Sequence, residues 1–464
     1  MPDTKGSARD AALWTLRQWR EGGRPELLIK ESFSRFSLER RDRALAMELS
    51  YGVVRNLIFL DYILSKFISE TKKGVPDNMR DILRLAAYQI LFLTKVPPHA
   101  AVNEAVTEAK RIKGQSAGGF VNAVLRSLLR GREAAGLDEL SGDPLRQAAI
   151  RYSYPDWLAM RWADRLGLEG AVSLMKAGDA VPPVTLCVNT LKTTREELKA
   201  LLISKGIRCA ETGISPYGLS VSGAPSVAEL PGYSEGLFWV QDEAAQFVSM
   251  LLAPPPLTKG GRGDFTVLDA CAAPGGKSAH LYVLSGGRAR IISMDIALDK
   301  LRLLEENTGR LGFTGVKAVL ADLAGPLPFR EQFDAVLLDA PCSALGVIRR
   351  RPEIKYARRP EDILRLAELQ VRMLGNVAKY LKPGGILVYS VCSTEPEEGE
   401  RVIEGFLSGN GDLRLDDPRP FLPEAARGLA DEKGYVRTWP HLHGTDGFFM
   451  ARLIKVHPPL KKGD

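Results

Sequence analysis

Apolar residues recur at a spacing near 3.6 through residues 7–130, which predicts a helical domain. The run ARDAALWTLRQWR recurs apolar at Ala11, Leu13, Leu16 and Trp19. RALAMELSYGVVRNLIFLDYILSKFI bears a long apolar stripe and reads as two helices with a joint near Tyr51-Gly52. DNMRDILRLAAYQILFL opens on Asp77 or Asn78 as a cap and stops before Pro97-Pro98. AVNEAVTEAKRI ends near Gly114, and GFVNAVLRSLLR closes the set. Residues 131–145, GREAAGLDELSGDPL, read as a linker.

The pattern then mixes. YPDWLAMRWADRLG is helical, PPVTLCVNT a strand and TTREELKALLISKG a helix. GLFWVQDEAAQFVSMLL passes from a short strand into a helix, with Asp242 as a cap, and residues 253–264 form a Pro- and Gly-rich loop. From 265 onward short β-rich runs alternate with helices: FTVLDA, ARIISMD, VKAVLAD, FDAVLLDA and GILVYSVCS. Such an alternation predicts a mostly parallel, doubly wound sheet, which binds ligands beyond the carboxyl ends of its strands. The domains read as helical 1–140, mixed α/β 146–235 and doubly wound α/β 236–464.

Composition adds two constraints. A chain of 464 residues with 45% hydrophobic and 26% charged residues is an ordinary multidomain soluble protein, not a fibre or a disordered chain. Its opening residues carry no apolar signal core, no run approaches a membrane span, and five cysteines make no disulfide scaffold. The net charge of +7 is uneven: residues 1–140 hold 23 Lys/Arg against 17 Asp/Glu, a net of +6 (23 − 17). A basic helical third fits either contact with a polyanion or an ordinary solvated surface.

Candidate chemistry gathers at the strand ends. Asp269, Asp295, Asp322 and Asp339 close four successive predicted strands and would meet along one edge. CAAPGGKSAH follows the first of them, where Gly275 and Gly276 permit close backbone approach before a helix N-terminus. A P-loop is excluded, because Cys271 occupies the place of its first glycine, and G-x-G-x-x-G is missing. A nucleoside cofactor without a pyrophosphate fits better, and S-adenosylmethionine is the common one. Cys342 and Cys392 lie just past the fourth and fifth strands and should face the same crevice. Their pattern alone leaves nucleophilic chemistry and packing equally open. Cys187, Cys209 and Cys271 read as buried small residues. No metal site is expected, since the cysteines are widely spaced and His441-x-His443 alone is a weak ligand pattern.

These motifs resemble the RNA cytosine-5 methyltransferases, and within them the bacterial 16S ribosomal RNA methyltransferase B (Sun/Fmu) group. LDACAAPGGKS at 268–278, LLDAPCSALGVIRRRPEIK at 337–355, LVYSVCSTEPEEGE at 387–400 and HGTDGFFMARL at 443–453 carry the resemblance. VNTLK, VQDEAAQ, SYGVVRN and GFVNAVLR extend it over nearly the whole chain. The resemblance implies an all-α NusB-like RNA-binding domain, a small α/β connecting subdomain and a Rossmann-like methyltransferase domain.

It also implies roles. Cys392 would attack cytosine C6. Asp339 would contact cytosine N3 and belongs to the cofactor side as well. Cys342 would help remove the C5 proton or release the adduct. Cys271, Ala272, Ala273, Pro274, Gly275, Gly276 and Lys277 would wrap S-adenosylmethionine, with Asp295 on its ribose and Asp322 on its adenine. Asn189, Gln241, Asp242 and Lys355 would shape the RNA-facing side. Cys187, Ala344, Val391, Gly399 and Tyr356 depart from the family pattern. The implied partner is 16S ribosomal RNA, with transfer RNA or another ribosomal site as one alternative and a non-catalytic RNA-binding or assembly factor as another. A cytoplasmic monomer without membrane or DNA contact is expected.

Overall fold

The computed structural model describes residues 6–68, 74–131, 142–223, 226–252 and 265–456. The linker expected at 131–145 therefore lies largely, and the loop at 253–264 wholly, outside the described residues. The chain divides into two compact units, residues 1–180 with 351–357, and 181–350 with 358–464.

Among the described residues the first unit runs through α1 (Ala8–Arg20), α2 (Pro25–Arg35), α3 (Arg40–Arg55), α4 (Leu57–Ser65), α5 (Asp77–Phe92), α6 (Pro98–Gly131), α7 (Pro144–Arg151) and α8 (Asp156–Asp179). A capping box starts α1, with Ser7 Oγ accepting from Asp10 N at 3.2 Å and Asp10 Oδ2 from Ser7 N at 2.9 Å. Such a cap is worth about 1 kcal/mol. Leu49, Leu60, Ile82, Leu83, Leu125 and Leu128 are buried in its core, as the 3.6 spacing requires. The break in α6 falls at Lys113 and Gly114, the latter at φ +79°. The joint between α3 and α4 falls at Asn56, not at Tyr51-Gly52. Gly52 is inside α3 for a packing reason: a Cβ there would come within 2.1 Å of the Tyr88 ring.

The second unit begins with β1 (Val184–Val188), α9 (Arg195–Ser204), β2 (Arg208–Glu211), β3 (Gly218–Ser222) and β4 (Phe238–Val240). These strands make a small antiparallel sheet in the order β2-β3-β1-β4. Next come α10 (Glu243–Leu252), β5 (Thr266–Asp269), α11 (Gly276–Leu284), β6 (Arg290–Asp295), α12 (Leu298–Leu311), β7 (Val316–Leu320) and β8 (Phe333–Asp339). The one-turn α13 (Ile354–Ala357) belongs to the first unit. The chain continues with α14 (Pro360–Val377), β9 (Leu381–Val391), α15 (Glu400–Ser408), β10 (Leu413–Leu415), β11 (Tyr435–Thr438), α16 (Pro440–His443) and β12 (Phe448–Lys455).

The large sheet runs β10-β12-β9-β8-β5-β6-β7, with β11 also paired to β12. The pairs β5–β6, β6–β7, β5–β8 and β8–β9 are parallel, as predicted for buried β-rich runs joined by helices. β12 joins β9 antiparallel. From β5 the chain builds outward in both directions, so the sheet switches between β5 and β8, where a doubly wound fold opens its crevice.

Candidate active site

The parallel strands bring their carboxyl ends to one edge. Asp269 ends β5 and is fully buried; its Oδ2 accepts from Ser278 Oγ at 2.6 Å. Its Oδ1 has no hydrogen-bond partner among the described residues. Burial pushes this carboxyl up to about 7. Residues 271–277 turn sharply beside it, pinned by Ala272 N donating to Met294 O at 2.8 Å and Gly275 N to Ala272 O at 2.8 Å. Gly275 sits at φ +100°, a backbone that glycine adopts without penalty, and α11 starts at the next residue.

Asp295 ends β6, its Oδ1 accepting from Ala297 N at 3.0 Å. Asp322 lies two residues past β7, exposed, with Oδ1 accepting from Ala324 N at 2.8 Å. Ile296 and Leu320 stand beside these acids at 66% and 55% exposure, unusually open for large aliphatic side chains at strand ends. An orphaned buried acceptor, further carboxylates and an exposed aliphatic pair suit a cationic ligand that also carries a flat ring.

Asp339 ends β8 between two partners: Lys277 Nζ at 2.5 Å on Oδ2 and Ser390 Oγ at 2.6 Å on Oδ1. Burial pulls Lys277 down, but the charge and hydrogen bond of Asp339, aided by Cys392 and Asp269, lift it above the ordinary lysine range. Three residues on, Cys342 meets Cys392, with the two sulfurs 3.3 Å apart. Cys342 is buried and Cys392 partly exposed. The hydrogen bond with Cys392, followed by burial, pushes the Cys342 thiol well above its usual value. The pair is thus asymmetric: Cys342 holds its proton while Cys392 is the thiol that solvent reaches. Cys187, Cys209 and Cys271 are free thiols too, each raised by burial.

Both cysteine loops are held from behind. Gly346 N donates to Cys392 O at 3.1 Å, and Gly447 N to Gly346 O at 2.8 Å. The backbones touch here: a Cβ on Gly346 would lie 1.9 Å from the Gly447 carbonyl oxygen. Beyond them Arg349 and Arg350 form a closed ion square with Asp242 and Asp446, at 2.9, 2.6, 2.8 and 2.8 Å. Asp242 Oδ1 also accepts from Ala244 N, so it caps α10 as expected, and from Asp446 N at 2.9 Å. The square ties together the start of α10, the segment after Cys342 and the segment before β12.

The four residues expected to face RNA are placed differently. Asn189 is fully buried and bonds Gly236 O at 2.8 Å; Gln241 accepts from Trp239 Nε1 at 2.9 Å. Asp242 is spent in the ion square. Lys355 is fully buried in the first unit, where Nζ donates to Arg55 O at 2.8 Å and Tyr152 O at 2.9 Å and lies 4.6 Å from the Tyr154 ring centre. All four side chains are buried, with their donors and acceptors paired within the protein. Sequence reasoning passed over Arg349, Arg350, Asp446, Ser343, Ser393 and Glu398. The charged triplet RRR at 349–351 and the lone Asp446 between apolar stretches were the available signals. Among the described residues no His, Cys, Asp or Glu side chains cluster as a metal site.

Comparison with known proteins agrees with this geometry. Residues 259–454 match the family described as 16S rRNA methyltransferase RsmB/F, residues 154–228 its ferredoxin-like domain, and residues 6–130 the NusB family. The chain is 37% identical over 455 residues to the probable ribosomal RNA small subunit methyltransferase B of Bacillus subtilis, covering 97% of this chain and 99% of that protein. The crystal structure of PH0851 superposes with a TM-score of 0.77 at 26% identity, covering 96% of this chain and 98% of its own. NSun6 from Pyrococcus horikoshii with SFG gives a TM-score of 0.57 at 26% identity, over 66% and 99%. The architecture is a NusB-like helical domain followed by a Rossmann-like methyltransferase domain. Full-length similarity at this level, together with an acidic cofactor edge and two apposed thiols, makes this chain a member of the RsmB/F methyltransferase family.

Proposed function

We propose that the protein methylates C5 of a cytosine in 16S ribosomal RNA, through a covalent adduct between Cys392 and C6. The observation that carries this reading is the thiol pair, 3.3 Å apart and next to the Lys277–Asp339 ion pair at the carboxyl edge of the sheet. The small-subunit ribosomal RNA target named for the Bacillus relative supports the choice of substrate. The NSun6 structure with SFG, an analogue of S-adenosylmethionine, supports the choice of cofactor.

The residues at the edge fit that cofactor. Asp269 has an orphaned acceptor for a cationic group, Asp295 suits a ribose diol, and Ile296 and Leu320 suit the faces of an adenine whose amino group Asp322 would reach. The turn from Cys271 through Ala272, Ala273, Pro274, Gly275 and Gly276 would enclose the methionine part. When bound, S-adenosylmethionine supplies a methyl group on a sulfonium. Cytosine is a poor electrophile, and covalent attack divides a hard substitution into easier steps. The Cys392 sulfur bonds to C6, which makes C5 electron-rich enough to take the methyl. The C5 proton then leaves, the C5–C6 double bond re-forms and the S–C6 bond breaks. Asp339, held by Lys277 and Ser390, faces the base at N3. Cys342, its sulfur 3.3 Å from that of Cys392, would give its proton to the departing Cys392 sulfur as the adduct is released, or would take the C5 proton once its own is gone. The base must leave its stack first, which an unpaired loop nucleotide makes cheap.

The wider reading is a cytoplasmic monomer of three modules, 1–140, 146–235 and 236–464, that does not act on DNA. Among the described residues no helix is long and apolar enough to cross a membrane. The test incubates Cys392→Ala and Cys342→Ala proteins with 16S ribosomal RNA and labelled cofactor. Cys392→Ala should lose methylation, and Cys342→Ala should trap RNA on Cys392 or lose turnover. Full methylation by Cys392→Ala overturns the nucleophile. Bisulfite mapping of RNA from cells with and without the gene should show one cytosine of 16S RNA losing its methyl mark; a change confined to transfer RNA overturns the substrate.

A further inference from the structure

The residue after each cysteine is a serine, and both serines end on one carboxylate. Glu398 is fully buried beneath the two loops. Its Oε1 accepts from Ser343 N at 2.7 Å and Gln370 Nε2 at 3.2 Å; its Oε2 accepts from Ser343 Oγ and Ser393 Oγ, each at 2.5 Å. The two hydroxyls are themselves 3.1 Å apart. Gln370 donates to Pro341 O at 2.9 Å as well, and the Tyr389 hydroxyl donates to Glu398 O at 2.6 Å. The loop Pro341-Cys342-Ser343 and the loop Cys392-Ser393 come from strands β8 and β9, and this side chain draws hydrogen bonds from both.

We propose that Glu398 is a positioning residue that sets the separation of the two reactive thiols. Cys342 and Cys392 must both reach one cytosine ring, so their spacing has to hold within a fraction of an ångström. Neither thiol can fix the other, since a sulfur–sulfur contact is weak and non-directional. A buried carboxylate with four donors is strongly directional, because each lost bond leaves charge unsolvated. Ser393 Oγ donates to Glu398 and accepts from Glu395 N at 3.2 Å, so it has no spare freedom to drift. Glu398 is fully buried, its carboxylate bonded to Ser343, Ser393 and Gln370, and it works through the serines. The inference rests on the two-thiol reading above.

The test measures thiol spacing separately from methylation. Diamide takes up two hydrogens as two nearby thiols become a disulfide, and peptide mapping reports the Cys342–Cys392 crosslink. In the full-length protein Glu398→Ala should slow this crosslink about tenfold or more and lower kcat about 100-fold, with KM for RNA and cofactor affinity little changed, the usual size of a misplaced-group effect. Glu398→Gln should recover to within about threefold, because its amide keeps one acceptor and the serine hydroxyls can turn to accept from its NH2 group. Should Glu398→Ala not fold, Ser393→Ala removes a single donor from one loop and should slow the crosslink several-fold. Crosslinking and kcat at wild-type rates in Glu398→Ala, or in Ser393→Ala, overturn the proposal. Slower crosslinking with undiminished methylation supports the brace and overturns the need for two thiols.

Discussion

Each unit encloses a lysine, Lys355 fully buried and Lys277 half-buried, and the two have opposite electrostatics. Lys277 in the sheet unit meets a carboxylate at 2.5 Å and is driven above the ordinary lysine range. Lys355 in the helical unit meets two carbonyls and aromatic faces. Burial, only partly offset by Asp179 and reinforced by Arg55, pulls it down to about 7. The contrast teaches that a directly bonded carboxylate outweighs burial, whereas carbonyl partners leave burial to set the charge. A carboxylate keeps an ammonium charged, whereas two carbonyls are equally satisfied by the two N–H bonds of a neutral amine. The charged lysine stands at the carboxyl edge of the large sheet and the other ties α13 into the helices.

The largest expected effect comes from removing the charged member. Lys277→Met leaves Asp339 largely buried without its counter-ion, and single-turnover methylation should fall about 100-fold, or about 3 kcal/mol. Lys277→Arg should restore part of that loss. An unchanged rate in Lys277→Met would break the claim that the ion pair matters.

His280 sharpens the comparison, since it shares a unit with Lys277 but not a carboxylate. It is fully buried between Tyr217 and Trp239, with ring centres at 5.0 and 6.0 Å. Burial pulls it down to about 3 from 6.5. Below pH 6.5 the unfolded chain binds a proton that the folded one refuses, so stability is present above that pH and drains away on acidification. The loss should reach about 2 kcal/mol by pH 5. His280→Phe should flatten that part of the profile in urea titrations at pH 5 and 7. An identical slope in the variant would mean that the imidazole is not held neutral.

The smallest effect belongs to Lys355. Its folded value lies below its unfolded 10.5, so the unfolded chain binds more protons between pH 7 and 10.5 and stability rises with pH there. The gain between pH 7 and 9 should be on the order of 1 kcal/mol, as Asp179 shares the titration. Lys355→Met should lack it, so the gap between wild type and variant widens as pH rises. A constant gap would place a full charge on Lys355 and erase the contrast with Lys277.

Much of this was legible in the residues. The strand-end acids and the two cysteines stood out because buried β-rich runs stop abruptly at polar positions, and parallel topology then brings those ends together. Asp322 was off by two residues, since β7 ends at Leu320 and leaves Ala321 and Asp322 in the following loop. Gly52 was misread as a break because glycine serves close packing as well as turning, and only the Tyr88 ring distinguishes the two uses. Asn189, Gln241, Asp242 and Lys355 illustrate a different limit: a motif match carries position but not exposure. The ion square and the Glu398 brace were illegible for a topological reason. Arg349 finds Asp446 and Ser343 finds Glu398 across long stretches of chain, and neither separation has a periodicity to read.

The touching backbones of Gly346 and Gly447 carry a consequence for how this sequence can vary. A side chain at 346 has no volume to occupy while the 447 carbonyl stands there, whatever its chemistry. Position 346 therefore cannot vary on its own: any side chain there must shift the loop that follows Cys342 or the segment that carries Gly447. That contact confines position 346 to a one-letter alphabet, and it makes the segment before β12, far downstream of both cysteines, part of what keeps their geometry heritable.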